Sequence, residues 1–251
     1  AFGMKGAAQM AIGPENRTVY RTSAGTQAVG IDQGLRSYML GVYNLMGLGL
    51  GISGVLAWVV SSGVEAQADW AMALMRAHWL FAFLGIGLVF FLSFGIRRMK
   101  ASTAFISFLA YSAVNGIWLA PVLLVYTHTS VASTFFIAAS MFLATSLFGY
   151  TTKRDLTGMG SFLIMGVFGL LIAMIVNMFL ASSALGFAIS AIGVLLFTGL
   201  TAYDTQKIKE MYYEGDGHEI ARKKSILGAL TLYLDFVNLF LFLLQFMGNR
   251  R

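Results

Sequence analysis

The chain has 251 residues, of which 58% are hydrophobic and 11% charged, and its mean hydropathy is +0.75. A soluble domain carries about 25% charged residues, so this composition excludes an ordinary soluble fold and indicates a polytopic membrane protein. The lack of cysteine excludes a disulfide framework, a thiolate metal site and a thiol nucleophile. The net charge of +6 comes from basic residues at the ends of apolar runs, not from a nucleic-acid-binding patch.

Residues 1 to 34 are polar and rich in Gly and Ala, with no compact apolar pattern. They read as a loosely ordered tail ahead of a membrane domain over 35–250. Their basic residues are followed by no apolar core of about 7–15 residues, so no cleavable signal peptide is expected there. Seven apolar runs follow, near 36–60, 79–96, 102–126, 131–150, 160–181, 184–207 and 226–248. Each approaches the roughly 20 residues that a membrane-spanning helix requires, and the short links between them suit antiparallel neighbours. GLGLGISG (47–54) and GIG (85–87) carry small residues at the spacing of tight helix packing. Pro121 predicts a kink inside the third run.

The links alternate in charge. One set, with the tail, holds fourteen Lys and Arg, among them Arg36, Arg97, Arg98, Lys153, Arg154 and Lys207. The other holds Arg76, plus Arg250 and Arg251 if the last run crosses fully. The excess predicts a cytoplasmic N-terminus. An outer arginine pair runs against the same rule, so a re-entrant seventh helix is the alternative. ARKKS (221–225) reads as part of this positive-inside signal, with anionic headgroups as another partner. His78, His128 and His218 stand alone near links and show no metal-ligand spacing.

Two ionisable side chains lie well inside the runs: Asp204 in LTAYDTQKI and Asp235 in LTLYLDFVNLFLFLL. An aspartate at mid-helix costs roughly 2.5–3.5 kcal/mol on insertion scales and by default marks an ion or proton path. The sixth run descends and the seventh returns, so the two carboxyls can come level. Asn238 shares a helix face with Asp235, and Tyr203 and Tyr233 stand near enough to be hydrogen-bonding partners. In the plainer reading, each aspartate is packing glue bonded to such a hydroxyl. In the sharper one, the two share a proton and titrate as a pair: protonated, they tie two helices together, and deprotonated, they repel and attract a cation such as Ca²⁺.

LTAYDTQKIKE (200–210) followed by LGALTLYLDFVNLFLFLLQFMG (227–248) resembles the C-terminal signature of the transmembrane Bax inhibitor motif family, in a bacterial-type member. YSAVNGIWLAPV (111–122) and TTKRDL (151–156) are similar to further parts of that pattern, and the likeness covers about 35–250. The resemblance implies an all-α integral membrane protein with seven transmembrane helices, six of them surrounding a central C-terminal helix. It implies a pH-sensitive calcium leak through an aspartate pair, onto which Asp204 and Asp235 fall. It also implies an arginine at the cytoplasmic end of the second helix that pairs with the sixth-helix aspartate. Arg97 in FGIRRMK matches, with Arg98 next to it, and a snorkelling membrane anchor is the alternative for Arg97. WLFAFLGIGLVFF (79–91) departs from some relatives in having no acidic residue, which puts an outer cation site in doubt.

The expectation is therefore a pH-sensitive calcium-leak channel or transporter-like protein and not an enzyme. Asp204, Asp235 and Arg97 form its gate, and Ca²⁺ is a transient ligand of the two aspartates. No tightly bound cofactor and no nucleic acid are expected. The second reading is a membrane-embedded regulator of stress, cell death or a quality-control protease, acting by protein–protein binding through residues 1–34 and 208–225. A bacterial inner membrane is the expected location, with an organellar one as the alternative.

Overall fold

The computed structural model describes residues 15–251, with side chains from Gln33 onward. Of the residues 1 to 34 read as a loose tail, 1–14 lie outside the described region, and 15–34 form the first part of α1. Eight helices follow one another: α1 (Glu15–Glu65), α2 (Asp69–Arg76), α3 (His78–Gly95), α4 (Ala101–Val125), α5 (His128–Thr151), α6 (Thr157–Leu180), α7 (Ser183–Glu210) and α8 (His218–Met247). Seven are long and apolar enough to cross a membrane: α1 from Gln33, and α3 to α8. The sequence reading overlooked α2, whose apolar stretch from Trp70 to Met75 is far shorter than a membrane span. It also began the last helix too late. The residues read as a link over 208–225 are mostly helical, and only 211–217 connect α7 to α8. ARKKS is a polar extension of α8, invisible to a search for apolar runs.

The apolar sequence of these helices faces outward as well as inward. Only 11% of the apolar window of α3 or of α6 is buried, and Phe83, Phe94 and Phe179 are at least 70% exposed. Such a surface has no place in water and matches hydrocarbon. The last helix is the most enclosed, with 67% of its window buried. It packs directly on α1, α4, α5 and α7, while α3 packs on α4 and α6 on α7. Helix α4 runs through Pro121 unbroken to Val125.

Contacts at both ends show that α8 crosses the whole bundle. At its start, Glu219 Oε1 accepts the Ala101 N–H at 2.6 Å, capping α4. At its far end the chain meets the turn between α4 and α5. Thr127 N–H donates to the Asn249 carbonyl at 3.1 Å, Arg251 N–H to the Val125 carbonyl at 2.9 Å, and Asn249 N–H to Ser130 Oγ at 2.9 Å. Within the described residues α8 runs as one unbroken helix along the bundle, with no re-entrant turn. The two awkward arginines are compensated locally. Arg251 donates to Glu65 Oε1 and to His128 Nε2, each at 2.5 Å, and the Arg250 guanidinium lies 5.8 Å from the Tyr126 ring.

Small residues bring backbones together at particular points. A Cβ on Gly116 of α4 would stand 2.7 Å from the Ser53 carbonyl of α1, and one on Gly149 of α5 would overlap the Ala202 carbonyl of α7. In the glycine stripe at 47–54, Gly49 abuts α4, whereas Gly47, Gly51 and Gly54 face open space. Gly149→Val should therefore cost about 1–3 kcal/mol through overpacking, read as thermal unfolding in detergent. Gly47→Val, with nothing to meet, should stay within about 0.5 kcal/mol of the parent.

Candidate functional site

Asp204 owes its position to its neighbours on α7. The Tyr203 ring fills the space left by the missing side chain of Gly160 on α6. Thr205 ends a relay of hydroxyls. Tyr43 on α1 donates to Ser146 on α5 at 2.6 Å, Ser146 donates to Thr205 at 2.9 Å, and Thr205 donates to the Thr201 carbonyl at 2.7 Å. That last bond uses the single Thr205 proton, which sets the direction of the whole relay. Gln206 clasps the segment before α6, accepting the Leu156 N–H and donating to the Arg154 carbonyl, both at 2.8 Å. With 203, 205 and 206 committed to α6, α1 with α5, and the α5–α6 link, Asp204 is left to face α8.

Asp235 is positioned by a second relay. Ser53 on α1 gives its proton to the Ser112 carbonyl at 2.7 Å, so Tyr233 must donate to Ser53 at 2.6 Å. The Tyr233 oxygen then accepts from Asn115 Nδ2 on α4 at 2.7 Å. Phe108 and Tyr111 meet the Tyr233 ring edge-on, and Phe236 meets Phe135 and Phe142 of α5 in the same way. The register of α8 against α7 follows from a stacked pair, Phe197 on Phe242, with centroids 5.6 Å apart. Asp204 lies seven residues after Phe197 and Asp235 seven before Phe242. Two helical turns on each antiparallel helix therefore bring the carboxyls side by side.

Asp204 and Asp235 act on each other electrostatically across the α7–α8 seam. Asp235 is 5% exposed and Asp204 half-buried, and Asp235 Oδ2 has no hydroxyl, amide or ammonium donor. A hydrogen bond between two carboxyls needs a proton on one of them. The cation acting on Asp204 is Lys207, one turn along α7, whose ammonium also sits 5.7 Å from the Tyr203 ring. Among the described residues no three His, Asp or Glu side chains gather as a metal site.

The remaining candidates are placed elsewhere. Tyr233 is not an aspartate partner, because its hydroxyl is used on α1 and α4. Tyr203 packs on Gly160. Asn238 donates to the Leu234 carbonyl of its own helix at 2.8 Å. Arg97 and Arg98 are exposed on the turn after α3 and form none of the ion pairs among the described residues. Helix α3 packs on α4, and no ion pair joins Arg97 or Arg98 to Asp204 in this structure. Sequence reading missed Ser53, Asn115, Tyr43, Ser146 and Thr205. Their signal was present as polar residues interrupting apolar runs, but their pairing joins residues 59 to 180 positions apart. Tyr233→Phe should lower stability by about 0.5–2 kcal/mol, measured by thermal unfolding in micelles, by stranding the Asn115 amide.

The family described as inhibitor of apoptosis-promoting Bax1 matches residues 35–251. An uncharacterized protein of Rickettsia prowazekii is 52% identical over 88% of this chain and 92% of its own length. One from Caulobacter vibrioides is 46% identical over 88% and 92%. Inner membrane protein YbhL of Escherichia coli is 45% identical over 87% and 94%. All seven spans lie within or nearly within the matched region, and the chain belongs to the Bax inhibitor-1 family of multi-pass membrane proteins.

Proposed function

We propose that this protein is a non-enzymatic, pH-sensitive leak for Ca²⁺ in a bacterial cytoplasmic membrane, with Asp204 and Asp235 as its proton-responsive seal. The observation that carries this reading is the isolation of the pair. Asp235 is buried in an apolar bundle with one oxygen lacking any donor, beside a second carboxyl on the next helix. With one proton shared, the pair is a hydrogen bond holding α7 to α8. With none, two like charges meet in a medium of low dielectric and repel by a few kcal/mol. A divalent cation relieves that repulsion. Two carboxylates offer four oxygens, against the roughly 6–8 that Ca²⁺ takes, so the ion keeps part of its hydration and is passed on instead of being held.

Influx into liposomes loaded with a calcium dye tests this directly. Wild-type flux should vary across pH 5 to 8, and Asp204→Asn and Asp235→Asn should each flatten the profile, because an amide facing a carboxyl cannot lose the shared proton. Flux no greater than that of protein-free liposomes would end the proposal.

The same reading places the α7–α8 link in the cytoplasm and the α1–α2 link outside, following the excess of Lys and Arg. The chain has no native cysteine, so single introduced thiols report cleanly. A membrane-impermeant maleimide should label Gln67→Cys in intact cells, and Glu214→Cys only after permeabilisation. The reverse pattern would invert the topology.

A further inference from the structure

A cavity of about 470 Å³ lies between α3, α4 and α8, with Leu171 of α6 on its remaining side. Its wall is largely apolar and aromatic, with Phe81, Phe90 and Trp118 among its members, and no charged side chain lines it. Besides the Trp118 indole, three polar side chains line it: Tyr111, Asn115 and Asn238. None belongs to the aspartate pair.

The hydrogen bonds around the cavity determine what each of these groups still has to offer. Tyr233 spends its proton on Ser53 and can only accept from Asn115, so the Asn115 amide nitrogen points at Tyr233 and its Oδ1 points away. Asn238 donates its nitrogen to the Leu234 carbonyl, so its Oδ1 is likewise uncommitted. Tyr111 is 4% exposed and its ring packs on Tyr233, yet among the described residues its hydroxyl has no hydrogen-bond partner. Among the described residues, the fully enclosed orphan atoms are Tyr38 Oη and Asp235 Oδ2. The free polar atoms of Tyr111, Asn115 and Asn238 are therefore not sealed in protein, and the space they open onto is the cavity.

Two carbonyl acceptors and one hydroxyl call for a ligand that donates at least one hydrogen bond. A charged headgroup would enter a site with no counter-charge and lose its hydration uncompensated. A bare acyl chain would leave all three polar groups without partners in a low-dielectric interior. A neutral lipid alcohol avoids both penalties. Entry is lateral: Ile86, Phe90 and Leu171 line the cavity and are 55%, 57% and 49% exposed on the surface that faces lipid. The volume lies within the roughly 300–1,000 Å³ of small-molecule sites.

We propose that this cavity binds a neutral lipid bearing a free hydroxyl, of the diacylglycerol class. The hydroxyl engages Asn238 and Tyr111, and the chains leave between α3 and α6. This site is separate from the proposed aspartate seal and stands whether or not that seal conducts.

The full-length protein in micelles would be titrated with 1,2-dioctanoylglycerol, with its 3-methyl ether, and with dioctanoyl phosphatidylglycerol, following the thermal unfolding midpoint. A diazirine-bearing diacylglycerol would be photolysed in parallel and the labelled peptides mapped. The expected result is an upward shift with dioctanoylglycerol alone and labelling of peptides from α3, α4 and α8. Tyr111→Phe and Asn238→Leu should each weaken binding about threefold to tenfold, the loss of one hydrogen bond. Equal shifts from the methyl ether or the phosphatidylglycerol overturn the proposal. So does labelling of the wild type confined to other helices, a readout that does not depend on either variant folding.

Discussion

Hydrocarbon gives a stranded polar group nothing to bond, and this bundle is organised around that constraint. The most enclosed helix, α8, carries Tyr233, Asp235 and Asn238 within two turns. Each is accommodated differently. Tyr233 joins a relay that ends on the Ser112 carbonyl, Asn238 bonds to its own helix, and Asp235 keeps one buried oxygen without a donor. The relay from Tyr43 through Ser146 to Thr205 also terminates on a backbone carbonyl. Both relays run in one direction only, since each hydroxyl has one proton to give. They act as fixed pins between helices that apolar packing alone would let slide.

The pins fall on the inner helices. Helix α7 is held to α6 by Tyr203, to α1 and α5 through Thr205, and to the α5–α6 link by Gln206. Helix α8 is held to α1 and α4 by Tyr233 and to the α4–α5 turn by residues 249 and 251. The proposed aspartate seal lies between these two anchored helices, with Asp204 on α7 and Asp235 on α8. Helices α3 and α6, by contrast, expose most of their surface and each leans on one neighbouring span. The proposed seal would therefore act across one helix–helix seam, while the proposed lipid site beside α3 would answer to a different chemistry.

The chain ends show the same economy. Arg250 and Arg251 violate the charge pattern that orients the other helices, and the structure answers with a ring, an imidazole and a carboxylate contributed by α1 and the α4–α5 turn. That turn also pairs backbone to backbone with residues 249 and 251. The charge rule counts residues near helix ends and has no means of registering partners that arrive from distant sequence.

Hydropathy alone settled the class, the number of spans and most helix bounds, because the length of an apolar run is a local property that the membrane thickness reads directly. It also singled out Asp204 and Asp235, since a carboxylate in such a run is costly wherever the run packs. Their adjacency was half legible: the seven-residue spacing from Phe197 to Asp204 and from Asp235 to Phe242 is in the sequence, but only the stacking of those two rings says which faces meet. The hydrogen-bond partners of Tyr233 and the surroundings of Arg97 were decided by tertiary structure alone. Tyr233 is two residues from Asp235 and points to α1 and α4, because successive helical residues turn about 100° apart. Arg97 ends a helix whose neighbour is α4 and not α7. Which helix lies beside which depends on side-chain shape and hydrogen bonding summed over the whole bundle, and no local stretch of sequence contains that sum.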